Sequence, residues 1–255
     1  MNLTNNTILI TGGGSGIGRG LAEAFHALGN KVIIAGRRPD VLEKTTDANP
    51  GMACVTLDIN DLTGIRSFAE EMIEFHPELN VVINNAGIAR LENLKDHADS
   101  AKAEAIITTN VLGPIRLTAA LLPHLLKQAR ATIINVTSGL GFVPFPVMPT
   151  YSATKAFLHS YTESLRFQLK DTAVEVLEII PPYVQTELGG ATQTTDPRAM
   201  PLQDFIAETM QIFKDQKTVE NCVERAKPLR VAEATGSYDK AFAMLGQLVL
   251  DPSHL

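Results

Sequence analysis

Along most of this chain the hydrophobic positions fall in short unbroken runs, not in strict alternation. Residues 7–10, 31–35, 52–57, 81–83, 131–136 and 174–180 are such runs, bounded by Gly, Pro or Asn. Strands buried between two layers have this pattern, because both faces meet apolar neighbours. Between the runs, apolar residues recur at three- and four-residue spacing over 17–28, 39–47, 62–75, 98–128 and 149–170, the period of a helix that packs one face. Asn60 or Asp61 is the expected cap of the third of these helices. Strands that alternate with helices are joined by right-handed crossovers, so the pattern predicts one α/β domain: a doubly wound parallel sheet covered on both faces. After residue 180 the pattern changes. Residues 186–201 combine Gly189 and Gly190 with Thr, Asp and Pro, and predict a mobile flap over the strand ends. Residues 219–234 and 238–248 read as helical, so the expectation is six strands with a helical C-terminal segment over 219–248.

Composition narrows the class. The chain has 255 residues and is 45% hydrophobic, enough to bury a core without disulfides or metals. A formal net charge of −6 gives no sign of a phosphate-tracking surface, so no nucleic-acid partner is expected. The first seven residues have neither a basic nor an apolar leader region, and no apolar run nears the ~18 residues that span a bilayer, so no membrane partner is expected. Cys54 and Cys222 stand far apart without a partner motif, which suits two free thiols in a reducing cytoplasm. The six histidines are scattered without metal-ligand spacing, and no metal is expected.

Three groups of residues carry candidate chemistry. The first strand runs into Thr11-Gly12-Gly13-Gly14-Ser15-Gly16-Ile17-Gly18 and then a helix. Glycines let the backbone turn tightly beside a pyrophosphate, and the helix presents free N–H groups to it. The second strand ends Gly36-Arg37-Arg38. A carboxylate that would accept a ribose 2′-hydroxyl is absent there, and two guanidinium groups suit a 2′-phosphate. Together these point to NADP(H). Third, Tyr151 and Lys155 lie four apart at a helix start, so the ammonium can share a face with the phenol. An unperturbed Tyr titrates near ~10, and a neighbouring cation lowers that value toward the working range. Ser138, thirteen residues earlier, can donate to the same carbonyl oxygen.

The order of these marks resembles that of a short-chain dehydrogenase/reductase of standard length. Thr11-Gly12, Gly16-Ile17-Gly18, Asp58, Asn84-Asn85-Ala86-Gly87, Asn110, Ser138, Tyr151 and Lys155 follow one another as in that family, and the likeness runs to about residue 190. The resemblance implies a Rossmann-type fold and assigns roles. Tyr151 is the general acid in reduction and the base in oxidation. Lys155 lowers its pKa and meets the nicotinamide ribose. Ser138 polarises the carbonyl, and Asn110 holds a water that links Lys155 to solvent. Gly12, Ser15, Gly16, Ile17 and Gly18 hold the pyrophosphate, with Arg37 and Arg38 on the 2′-phosphate. Asp58, with Ile59 beside it, meets the adenine. Asn85, Ala86 and Gly87 line the adenosine side, and Val184 and Thr186 meet the nicotinamide carboxamide. Two departures from the family pattern, Pro181-Pro182 for Pro-Gly and no visible seventh strand, suggest a bacterial DltE-like branch.

The resulting expectation is an NADP(H)-dependent oxidoreductase that interconverts a ketone or aldehyde and an alcohol. Phe142, Val143, Pro144, Phe145, Val147 and Pro149 lie between Ser138 and Tyr151 and, with Tyr183 and Leu188 opposite, would make an apolar pocket for a neutral substrate. Arg90 is the group that would reach an anionic one. The competing readings are an NAD-linked alcohol dehydrogenase and a non-enzymatic NADP(H)-binding sensor or scaffold. The apolar outer faces of the helices over 98–128 and 149–170 predict a homodimer. Without a seventh strand to build a second interface, no tetramer is expected.

Overall fold

The computed structural model describes residues 1–95, 100–215 and 218–250. Seven strands form one sheet: β1 (Thr7–Thr11), β2 (Lys31–Gly36), β3 (Ala53–Thr56), β4 (Leu79–Asn84), β5 (Ala131–Val136), β6 (Val174–Ile180) and β7 (Glu220–Cys222). Their order is β3-β2-β1-β4-β5-β6-β7 and every pairing is parallel. Chain direction across the sheet reverses between β1 and β4, which opens a crevice beyond the carboxyl ends of the strands.

Alternate residues of each strand serve opposite layers. On one face Ile8, Ile10, Val32, Ile34, Val81 and Ile83 pack with Leu21 and Phe25 of α1 (Gly16–Ala27) and with Phe205 and Phe213 of α7 (Leu202–Asp215). On the other, Leu9, Ile33, Val82 and Ile133 meet α3 (Leu62–Phe75), α5 (Gly113–Leu125) and α6 (Pro149–Leu169) through Ile65, Phe68, Leu117, Leu121 and Leu165. The remaining helices are α2 (Pro39–Asp47), α4 (Ser100–Ile107), α8 (Lys227–Arg230) and α9 (Tyr238–Leu250). Asp61 caps α3 by accepting from the Thr63 N–H at 3.0 Å, which settles the choice between it and Asn60.

Three expectations are corrected. The sheet has seven strands, because Glu220, Asn221 and Cys222 add to β6 as a short parallel edge. Three residues of mixed polarity give no strand period. Their pairing is held instead by tertiary contacts: Asn221 Nδ2 donates to the Thr209 carbonyl at 2.8 Å, and Arg230 grips Glu220. The helical reading of 219–234 therefore survives only at α8. The argument that excluded a tetramer loses its premise with it. Second, the long helix over 98–128 is two α-helices joined by a π-turn, Thr108–Leu112; residues 98 and 99 lie outside the described residues, as do His97 and His254. Third, the helical stretch Ser100–Leu125 is long and apolar enough to cross a membrane by length and composition. Half of its most apolar 18-residue window is buried within the protein, as in a core helix packed on a sheet.

Residues 186–201 are anchored at their centre. A 3₁₀ turn, Ala191–Thr195, carries the buried Gln193, whose Nε2 donates to the Val184 carbonyl at 2.6 Å and to Thr186 Oγ1 at 3.1 Å.

Candidate active site

The glycine turn is shaped by close approach. Gly12 has a φ of +66°, and Gly16 one of +51°, conformations that favour glycine. A Cβ on Gly18 would lie 2.3 Å from the Gly12 carbonyl oxygen and 2.4 Å from Asn85 Nδ2, so α1 reaches the turn only because Gly18 has no side chain. Asn85 fastens the turn from β4 by donating from Nδ2 to the Thr11 carbonyl at 2.9 Å. Thr11 completes the joint: its hydroxyl donates to the Ile83 carbonyl and accepts from the N–H groups of Asn85 and Ala86. Asn85 and Ala86 thus hold the turn itself, a role beyond the one expected of them.

This arrangement fits a dinucleotide. Ser15 stands at the N-cap of α1 without a side-chain cap bond, and the first turn of α1 carries no acid, so the helix end is open to an anion. Arg38 Nη2 lies 3.5 Å from Ser15 Oγ, at the mouth of the turn, and Arg37 beside it is exposed. Asp58 is exposed at the end of β3, and Ile59 is buried against the position of Gly113. Thr186 packs on the other side of the turn, 3.4 Å from where a Gly16 Cβ would stand. Val184 is buried and bridges to Met200. Ser15, Gly16, Arg38 and Thr186 therefore stand around one turn at the end of β1.

The catalytic candidates meet where β5 ends and α6 begins. Glu92 sets the start of α6: its carboxylate accepts from the Thr150 N–H at 3.1 Å and from the Thr150 hydroxyl at 2.6 Å, a negative charge at the positive end of the helix. Tyr151 and Lys155 follow on the inner face, both buried. Lys155 Nζ donates to the Val136 carbonyl at 2.8 Å and lies 5.6 Å from the centroid of the Tyr151 ring. Burial pushes the Tyr151 phenol up to about 12, and its hydrogen bond with Ser138 draws it back. The expected lowering by Lys155 is not what this geometry provides, since the ammonium is aimed at a backbone carbonyl and over the ring, not at the phenolic oxygen. Burial also pushes Lys155 down to about 8, opposed by the charge of Glu178.

Asn110 sits in the π-turn, a local widening that often marks functional positions. Its Oδ1 accepts from the Ile88 N–H, and its Nδ2 donates to the Ile88 carbonyl and to Thr154. A Cβ on Gly87 would come within 3.3 Å of Asn110 Oδ1 and 3.8 Å of Lys155 Nζ, so Gly87 keeps the space between those two groups open. Arg90 turns back on its own backbone and donates to the Ala89 carbonyl.

Known proteins similar to this chain agree with its fold. A family model described as short chain dehydrogenase matches residues 6–197. A Bacillus subtilis (strain 168) protein described as uncharacterized oxidoreductase DltE is 38% identical over 249 residues, covering 96% of this chain and 98% of its own. Among solved structures, a short chain dehydrogenase from Burkholderia cenocepacia J2315 in complex with NADP superposes with a TM-score of 0.82 at 24% identity, over 95% of this chain and 99% of that one. A short chain dehydrogenase/reductase from Burkholderia phymatum in complex with NAD superposes at 0.80 with 22% identity, over 94% and 97%.

The buried ammonium makes a stability prediction. Lysine's ordinary value is 10.5 and the folded value is about 8, so between those limits the unfolded chain binds the proton and the native chain does not. Native stability therefore rises with pH through that window, and below it the full cost of burial remains. Lys155→Met removes the titrating group together with the donor to the Val136 carbonyl, so its Tm is expected to stay level through that window while that of wild type rises. Thermal melts of both proteins across that range check this.

Proposed function

The chain belongs to the short-chain dehydrogenase/reductase family, in a DltE-like branch, and is an NAD(P)-dependent oxidoreductase; on that premise we propose that it uses NADP(H) to interconvert a ketone or aldehyde and an alcohol, with Tyr151 as proton donor and acceptor. The observation that carries this reading is the burial of Ser138, Tyr151 and Lys155 together where β5 ends and α6 begins, with Lys155 Nζ on the Val136 carbonyl, beside the crevice that the glycine turn opens. A carbonyl oxygen placed between the two hydroxyls accepts from both, and as it gains electron density Tyr151 delivers the proton that makes the alcohol. The cofactor, when bound, supplies the hydride to the carbonyl carbon. Ser138 holds the oxygen, Lys155 keeps its positive charge over the Tyr151 ring, and Asn110 fixes the Ile88 backbone through its N–H and carbonyl.

Cofactor choice is local. The solved relatives include one with NADP and one with NAD, so the fold alone does not decide. Gly36 offers no carboxylate, while Arg38 reaches Ser15 at the pyrophosphate turn, which supports NADP(H). Of the loop residues expected to line the substrate, Val143 is fully buried against Ala232 and Leu245, and Phe142 packs on His159 and Arg230; Phe145, Val147 and Pro149 stay half-buried there, with Leu140 and Met148 beside them. Tyr183 and Leu188 are exposed, and a Cβ on Gly189 would lie 4.0 Å from Met148 Cε, which supports a neutral, apolar carbonyl compound under the 186–201 segment acting as a flap. The outer side of α4 and α6 exposes Ile107 and Phe157 together with Ala153, Ala156, Ser160 and Ser164. Small residues beside large apolar ones allow close helix packing, which supports a two-fold dimer. The free thiols Cys54 and Cys222 are in keeping with a cytoplasmic setting.

Tyr151→Phe keeps the ring and removes the hydroxyl, so carbonyl turnover is expected to fall ~100-fold or more while NADPH binding persists. Near-native turnover would assign the proton to another group. With a ketone and aldehyde panel, NADPH is expected to outperform NADH. Replacing Arg37 and Arg38 together is expected to erode that preference mainly through the NADPH KM, because the 2′-phosphate is remote from the hydride. Equal efficiency of the two cofactors in the wild type would overturn the assignment. Light scattering on the eluting peak of a gel-filtration column is expected to give the mass of two chains.

A further inference from the structure

Glu178 lies on β6 with no solvent exposure, and the chemistry described so far leaves it unused. Both of its oxygens are engaged. Oε1 accepts the Thr137 hydroxyl at 2.6 Å, and Oε2 faces His159 Nδ1 at 2.9 Å. Thr137 stands between Val136, whose carbonyl accepts Lys155 Nζ, and Ser138, whose hydroxyl meets Tyr151. His159 stands one helical turn beyond Lys155 on α6, and its ring packs edge-on against Phe142 with centroids 4.7 Å apart. One carboxylate therefore touches both the strand end and the helix that carry the reacting groups.

We propose that Glu178, held by Thr137 and His159, is a positioning residue: it fixes the 136–138 strand end and supplies the buried countercharge of the Lys155 ammonium. Its consequence for catalysis rests on the oxidoreductase reading, while the charge relation is a property of the folded chain itself. An ammonium withdrawn from water loses hydration worth several kcal/mol, and a fixed negative charge in the same interior opposes that loss. Glu178 reaches the strand end through Thr137, next to the Val136 carbonyl on which Lys155 Nζ sits, and from there its charge opposes the lowering of Lys155 by burial.

The surrounding groups complete a closed set. Glu220 on β7 is the Cα partner of Glu178, and Arg230 donates to its two oxygens at 2.7 and 2.8 Å. The Arg230 guanidinium lies over the Phe142 ring, 4.7 Å from its centroid. His159 is raised by its hydrogen bond to Glu178, lowered by burial, and raised again by the charges of Glu178, Glu163 and Glu220. Ligand atoms of His159, Glu178 and Glu220 lie within 4.8 Å of one another, close enough for a metal ion. Arg230, Thr137 and His159 already take the four carboxylate oxygens, so protein groups fill the cluster.

The test reads Lys155 directly. Folded protein carrying ¹³Cε-labelled lysine is titrated by NMR, with the Lys155 resonance assigned from Lys155→Met. In Glu178→Gln the Lys155 resonance is expected to titrate lower than in wild type by about one pH unit, the loss of one nearby opposite charge. In Glu178→Asp, which keeps the charge, it should stay close to wild type. With a carbonyl substrate, the alkaline limb of the Glu178→Gln kcat/KM profile moves in the same direction. Its kcat is expected to fall ~10-fold with the NADPH KM little changed. An unmoved Lys155 titration in Glu178→Gln overturns the proposal, and so does an equal displacement in Glu178→Asp, which would mean disturbed packing and not charge. If Glu178→Gln does not fold, the double variant Glu178→Gln/His159→Gln replaces the pair by two amides and carries the same expectation. The expected NMR shifts in a chain whose wild type reduces no carbonyl would support the charge relation and overturn the oxidoreductase reading instead.

Discussion

A parallel sheet ends all its strands on one rim, and there the backbone groups leave the ladder and need other partners. Most of what is particular to this protein is how two stretches of that rim are satisfied. At the end of β1, the Thr11 hydroxyl and the Asn85 amide take up the carbonyls and N–H groups freed where β1 and β4 part. At the end of β5, Lys155 takes the Val136 carbonyl, and Thr137 donates to both Glu178 and the Ile179 carbonyl. The first joint leaves an open helix end for an anion. The second sets Ser138 beside the start of α6, where Tyr151 and Lys155 are buried. Cofactor crevice and reacting groups are thus two solutions to the same backbone problem, one strand apart in the sheet.

These solutions are not the most stable ones available. A phenol held at about 12 and an ammonium held at about 8 by burial are charged or chargeable groups kept where apolar ones would cost less. Sites of this kind are where stability and function oppose each other. The polar chain behind them limits the cost. Asn84 donates to Thr118 and to Asn135, and Asn135 donates to Thr162, so the buried amides between the sheet and its helices find partners inside the protein. Asn84 Oδ1 is the exception in that chain, buried without a partner.

Five of the strands could be read from the sequence because burial on both faces writes nearly the same signal at every position, and the half-buried edge strand β3 was read from its apolar run; α2, α3 and β5 come out with the expected bounds. Tyr151, Lys155, Ser138 and the glycine turn were legible because each depends on spacing along one element. The unread features depend on contacts between distant segments. Glu92 meets the start of α6 from 58 residues away, and Glu178 meets Thr137 from 41; neither pairing leaves a local pattern. Gln193 lies in a segment with no period at all, yet its amide holds Val184 and Thr186 in place. The strand β7 was missed for a related reason, since three residues carry too little pattern to outweigh the helical propensity around them.

That short strand changes how the C-terminal part of the chain relates to the site. Had residues 219–248 been only a helical cover over a bare edge, their contribution would have been protection of that edge. Instead, β7 brings Glu220 beside Glu178, and α8 brings Arg230 onto Glu220 and over Phe142. Leu229 packs on the turn after Ser138 so closely that a Cβ on Gly139 would lie 3.1 Å from its Cδ1. The loop that carries Ser138 is therefore clamped between α6, through His159 against Phe142, and the C-terminal segment. Side chains at 229 and 230 thus set where the loop between Ser138 and Tyr151 can lie, and with it the shape of the apolar wall that loop presents.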